Sequence, residues 1–143
     1  MGRGHDWAAI ERPGKNQAKQ VRTLGIDPGS RVTGYGVVQQ AGGRIVRVDH
    51  GEIRIKSGEP FTRCLLRIFD ELTEVIERAR PDAVALEDIF YGKNVKSLIK
   101  QGHVRGVALL AASRSGVPVH EYTPLELKKA VVGYGQAEIQ QVQ

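Results

Sequence analysis

The sequence predicts an α/β fold, one mixed sheet with helices on both faces and elements in the order βββαβαβα. Three observations predict it. Short β-rich runs separated by glycine turns fill residues 21–55. One long amphipathic period follows, and after it short apolar runs alternate with helical patterns. At 143 residues the chain is long enough for a single core.

Val21 to Ile26 is a β-rich run that ends at the turn signal Asp27-Pro28-Gly29. Val32 to Gln39 reads as a second strand, its Gly34 and Gly36 marking a bulge or a close backbone approach. Ala41-Gly42-Gly43 turns the chain into Arg44 to Val48 as a hairpin, and Gly51 to Ile55 alternates as a third strand would. Pro60 opens a helix on which Phe61, Leu65, Ile68, Phe69, Leu72, Val75, Ile76 and Ala79 share one face; Pro81 stops it. Ala83 to Leu86 is nearly all apolar, as suits a strand covered on both sides, and it delivers Glu87 at its end. Leu98 to Ser113 fits a second helix, and Val119 to Tyr122 a further strand. Thr123-Pro124-Leu125-Glu126 carries the cap, first-turn proline and glutamate of a helix start. Another helix begins near Ala137, too short by Gln143 to be stable alone, so a truncated chain is expected.

Composition narrows the function. Lys and Arg total 21 against 16 Asp and Glu, a net charge of +5 that favours a polyanionic partner. Residues 93–129 hold seven basic side chains against Glu121 and Glu126, which concentrates positive charge in this stretch. Residues 1–20 lack any periodicity and are read as a loose, disordered basic extension; a DNA-binding arm is one reading, a mis-assigned start or plain tail the stronger one. Residues 21–143 form the folded domain. Cys64 is the only cysteine, which excludes an intramolecular disulfide and a four-cysteine zinc site. With no apolar run near the roughly 20 residues of a membrane span, and no secretory signal, a cytoplasmic location is expected.

Asp27 and Glu87 each end a buried strand. Side chains leaving neighbouring parallel strands at their carboxyl ends converge on one crevice, where paired carboxylates ionise cheaply only beside a cation such as Mg²⁺. Two-metal nucleases use such acids, whereas an isolated Asp-Pro-Gly is more often a plain turn. Asp88 faces the opposite way from Glu87. Phe90 and Tyr91, at the crevice rim, can stack on unpaired bases, with burial in the core an equal rival for Tyr91. Lys93, Lys96, Lys100, Arg105, Lys128 and Lys129 are candidates for phosphate contacts, although a solvated helix face accounts for Lys96 and Lys100 equally well. His103 and His120 have no ligand-like spacing. Ser30 and Thr33 suit turn hydrogen bonding better than nucleophilic catalysis. The small residues Gly102, Gly106, Ala108, Ala111 and Ala112 allow close packing against either the sheet or a second subunit.

The segments GIDPGSRVTGYGVV (Gly25 to Val38), ALEDIFYGKNVKSLIKQGHVRGVALLAA (Ala85 to Ala112) and EYTPLELKKAVVGYGQAE (Glu121 to Glu138) together resemble RuvC-type Holliday junction resolvases, in order along nearly everything after residue 21. The resemblance implies a ribonuclease H-like fold and a homodimer. It also implies paired nicks across four-way DNA junctions in recombination and repair, and Mg²⁺ or Mn²⁺, two ions per complete active site. It makes Asp27 and Glu87 the first two catalytic, metal-holding acids, gives Phe90 and Lys128 DNA roles, and suggests a RuvA–RuvB branch-migration complex as partner. Two departures stand out: the sequence ends before the family's Asp-Ala-Ala-Asp-like helix, and Ile139 replaces a usual lysine. Weak metal binding and much reduced or absent cleavage are therefore expected. One alternative is a non-cleaving junction binder of the same fold. A remote one is an Hsp70-like or sugar-kinase-like ATPase lobe, because Gly-Ile-Asp-Pro-Gly also resembles the phosphate hairpin of that superfamily.

Overall fold

A computed structural model describes residues 20–89 and 94–122. Five strands and two helices follow in the order β1 (Val21–Asp27), β2 (Val32–Ala41), β3 (Arg44–Arg54), α1 (Phe61–Ala79), β4 (Ala83–Glu87), α2 (Val95–Arg114) and β5 (Val119–Tyr122). The sheet order is β3-β2-β1-β4-β5, antiparallel among the first three strands and parallel from β1 through β5. The mixed sheet is thus the one the element order predicts. The helix start expected at Thr123 and the helix expected near Ala137 lie outside the described residues.

The β2–β3 hairpin closes at Gly42 and Gly43, both with positive φ, the backbone that a two-residue turn between twisted strands requires. The sequence reads as two pieces, Arg44 to Val48 and Gly51 to Ile55, but β3 runs through without interruption. A register shift opposite Val37 and Val38 absorbs Val48 as the extra residue. α1 begins after Pro60 and ends at Arg80, whose left-handed backbone lets its N–H donate to the Ile76 carbonyl before Pro81 forbids continuation. α2 starts three residues earlier than the apolar pattern suggests, because the Asn94 side chain accepts from Ser97 N–H and caps it.

Alternation assigns the two sheet faces. Leu24 and Ile26 of β1, Val84 and Leu86 of β4, and Val37 of β2 are essentially buried. They form one core with Ile68, Leu72, Val75 and Ile76 of α1 and Val104, Ala108 and Ala112 of α2. Both described helices therefore cover the same face. The opposite face presents Gly25, Asp27, Ala85, Glu87, Gly34 and Gly36.

Candidate active site

β1 and β4 pair in parallel through Leu24–Val84, Gly25–Ala85 and Ile26–Leu86. The next step along both strands brings Asp27 beside Glu87, on neighbouring strands about 4.8 Å apart and on the face away from the core. β2 places Gly34 across from Asp27, and β5 places Tyr122 beside Glu87, so one row crosses the sheet as Gly34, Asp27, Glu87, Tyr122. Asp27 is exposed and Glu87 half-buried. The four residues line one cavity of about 160 Å³, floored by Gly25, Gly36 and Ala85. The small floor leaves the two carboxylates standing above it.

The turn after Asp27 depends on glycine. A Cβ on Gly29 would collide with the Val32 carbonyl oxygen, so no larger residue fits where the chain reverses into β2. Pro28 is fully buried, and its carbonyl accepts a 3.0 Å hydrogen bond from Gln101 Nε2 of α2.

Asp88 points to the helix side, as expected. Its carboxylate accepts from Ile89 N–H and lies 3.4 Å from Arg105 Nη2. Arg105, expected at a phosphate, is placed differently. Its side chain is only 13% exposed, its Nη2 donates to Glu121 Oε2 at 2.6 Å, and its Nε reaches the Glu87 carbonyl at 3.4 Å. Two carboxylates already neutralise this guanidinium, so a phosphate would have to displace them. Glu121 lies 16 residues from Arg105, and no local pattern pairs them; it is the β4–β5 register, Leu86 beside Glu121, that brings it within reach.

Lys96 and Lys100 are exposed on the first turns of α2, and Lys100 Nζ sits 5.7 Å from the centre of the Phe61 ring. His103 is exposed, its Nδ1 2.8 Å from the Ile99 carbonyl; His120 lies beside Tyr122, ring centres 6.4 Å apart. Thr33 does not make the expected turn hydrogen bond. It is buried with its hydroxyl unpartnered among the described residues, on the core side with Ile53, which removes it from the crevice. Phe90, Tyr91, Lys93, Lys128 and Lys129 lie outside the described residues.

Two hard oxygen donors side by side, without sulfur or imidazole, fit part of the shell of a small divalent cation. Among the described residues no group of three or more His, Cys, Asp or Glu side chains gathers to complete such a shell.

The family model described as "Crossover junction endodeoxyribonuclease RuvC" matches residues 23–143. The chain belongs to the RuvC family. A RuvC of Geobacter metallireducens is 50% identical over 123 residues, covering 86% of this chain and 75% of the relative. One from Pelobacter propionicus is 52% identical over the same length, covering 86% and 70%. Among solved structures, Thermus thermophilus RuvC bound to a Holliday junction substrate superposes with a TM-score of 0.70 at 33% identity, covering 78% of this chain and 69% of that one. The yeast mitochondrial Holliday junction resolvase Ydc2 (TM-score 0.59, 14% identity) shares the fold. In RuvC terms, the strand-end acids here fall in the matched region, as does the whole of the sheet from Thr23 onward. No helix among the described residues is long and apolar enough to cross a membrane.

Proposed function

We propose that this RuvC-family chain is a structure-selective endonuclease that nicks four-way DNA junctions by metal-dependent phosphodiester hydrolysis in recombination and repair. The observation that carries the mechanism is the register that sets Asp27 beside Glu87 at the carboxyl ends of β1 and β4. Those two side chains would hold Mg²⁺ or Mn²⁺. The chemistry such a cation supplies is a water made nucleophilic near neutral pH and neutralisation of charge on the leaving oxygen. The protein's own part is orientation. Asp27 is exposed to an incoming phosphate, while half-buried Glu87 is fixed at a strand end, above a glycine floor that lets a backbone approach closely. Hydrolysis breaks the phosphorus–oxygen bond to the departing sugar and adds the water oxygen to phosphorus.

Phe90 and Lys128 are proposed DNA contacts on the strength of the resemblance, Tyr91 and Lys93 on their chemistry and their place in the sequence just after Glu87, with exposed Lys96 and Lys100 as further basic side chains. Arg105 is left out of that set because its charge is already paired. A homodimer fits α2, which exposes Val95, Ile99 and Leu110 at 66%, 55% and 61% along one helical face. A cytoplasmic location, a RuvA–RuvB partner and a folded domain over 21–143 complete the reading.

The test is Asp27→Asn on the 143-residue chain. Mg²⁺-dependent nicking of a synthetic four-way junction should vanish while gel-shift affinity for the junction persists. Nicking that survives the substitution rejects Asp27 as a catalytic acid. A second reading, a non-cleaving junction binder, is favoured by the lack of a third metal-ligating side chain among the described residues; wild-type binding without any nicking selects it.

A further inference from the structure

We infer that one turn of α2 sets the relative placement of the two strand-end acids, with Gln101 and Arg105 as positioning residues; this rests on the proposed nuclease reading.

The β1–β4 ladder makes its last pair at Ile26 and Leu86. Asp27 and Glu87 are thus the first residues beyond it. Each is held on its outer side, Asp27 to Gly34 of β2 and Glu87 to Tyr122 of β5. What holds them to each other is not the ladder. α2 spans the gap: Gln101 Nε2 donates to the carbonyl of Pro28, the residue after Asp27, at 3.0 Å, and Arg105 Nε reaches the Glu87 carbonyl at 3.4 Å. Four residues apart, the two side chains sit on the same helical face, one above the other. Arg105 is itself fixed by Glu121 on β5 at 2.6 Å and by Asp88 at 3.4 Å, and the Asp88 N–H donates to the Tyr122 carbonyl at 2.6 Å. α2 therefore grips the ends of β1, β4 and β5 together.

Both contacts reach main-chain carbonyls. A change in them alters where the acids stand without altering their number or charge. Outer contacts of this kind typically change metal affinity or activity by about 10–100-fold when lost.

The experiment compares Gln101→Met, which keeps length and loses the donor, and Arg105→Lys, which keeps charge and loses the fork, with Asp49→Asn. The last breaks the Arg78–Asp49 pair (3.1 Å) between α1 and β3 and serves as a stability control. Three quantities are read: Mn²⁺ binding by electron paramagnetic resonance with the metal alone, single-turnover nicking, and four-way junction affinity without divalent cation. Gln101→Met and Arg105→Lys should each weaken Mn²⁺ binding and slow nicking by about tenfold, with junction affinity held within about twofold. Asp49→Asn should lower the melting temperature and leave all three at wild-type values. If the α2 variants merely melt earlier, with Mn²⁺ binding and nicking unchanged well below the transition, α2 is only a brace and the inference falls. Should Arg105→Lys fail to fold, Gln101→Met, lacking one neutral hydrogen bond, decides alone. A wild-type chain that binds Mn²⁺ without nicking leaves the binding comparison decisive. One that does neither overturns the nuclease reading and this inference with it.

Discussion

The two helices share one sheet face and do different work. α1 buries large side chains, Ile68, Leu72, Val75 and Ile76, and turns Asp70, Glu74 and Glu77 to solvent, with Leu66 the one exposed large hydrophobic residue on it. α2 buries little beyond Val104 and three alanines, exposes Val95, Ile99 and Leu110, and sends Gln101 and Arg105 to the strand ends. α1 has the sharp amphipathic division of a helix whose task is to close a core. α2 lacks it: it packs with small residues, leaves apolar ones exposed and reaches the strand ends with Gln101 and Arg105. The contrast separates what keeps the protein folded from what makes its site usable.

The severest challenge to that division is Leu72→Ala. Truncating a fully buried leucine should cost about 2–5 kcal/mol in urea unfolding, while the molecules still folded keep wild-type Mn²⁺ binding. A loss of metal binding in the folded fraction would show that α1 also shapes the site. Ala108→Leu attacks α2 by enlarging a fully buried position, and should cost about 1–3 kcal/mol. If α2 sits close because of its alanines, this variant should also disturb Mn²⁺ binding, unlike Leu72→Ala. Replacing Ile99 and Leu110 together by serine should move stability by no more than about 0.5 kcal/mol, because both are exposed. Sedimentation should then show loss of self-association, and an unchanged sedimentation profile would remove the stripe from the dimer argument.

The smallest effect concerns the entry to α1. Glu59 accepts from Arg67 at 2.8 Å and from the Cys64 thiol at 3.2 Å, and the Arg67 bonds first, the thiol second, draw its carboxyl down to about 2 from an ordinary 4.5. A depressed carboxyl value stabilises the fold above pH 4.5 and loses that contribution as pH falls toward 2. Wild type should therefore lose more stability than Glu59→Gln between those limits, with a constant difference above them. Parallel acid-unfolding curves would show that Glu59 is not coupled to folding.

Much of this was written in local patterns. The period of α1, the two-glycine hairpin and the delivery of Asp27 and Glu87 to strand ends all follow from spacing within a few residues, where propensity and alternation speak directly. Other features depend on partners distant along the chain. Nothing near Arg105 announces that Glu121 will neutralise it, so a basic residue in a basic stretch reads as a phosphate contact. Nothing near Val48 announces a bulge, because the extra residue is counted only against β2. The early start of α2 was legible in principle, since Asn94 is a good cap, but the apolar pattern that sets in at Leu98 drew the boundary later.

Alternation along β1 and β4 has one more consequence. Sliding β4 by a single residue would carry the Glu87 carboxylate into the hydrocarbon interior and lift Leu86 into water, two penalties from one displacement. Wrong pairings are thus rejected by the greasy side of the sheet before any ligand arrives. Any molecule that has sealed its interior has, by the same act, turned both acids to the one open side of the sheet.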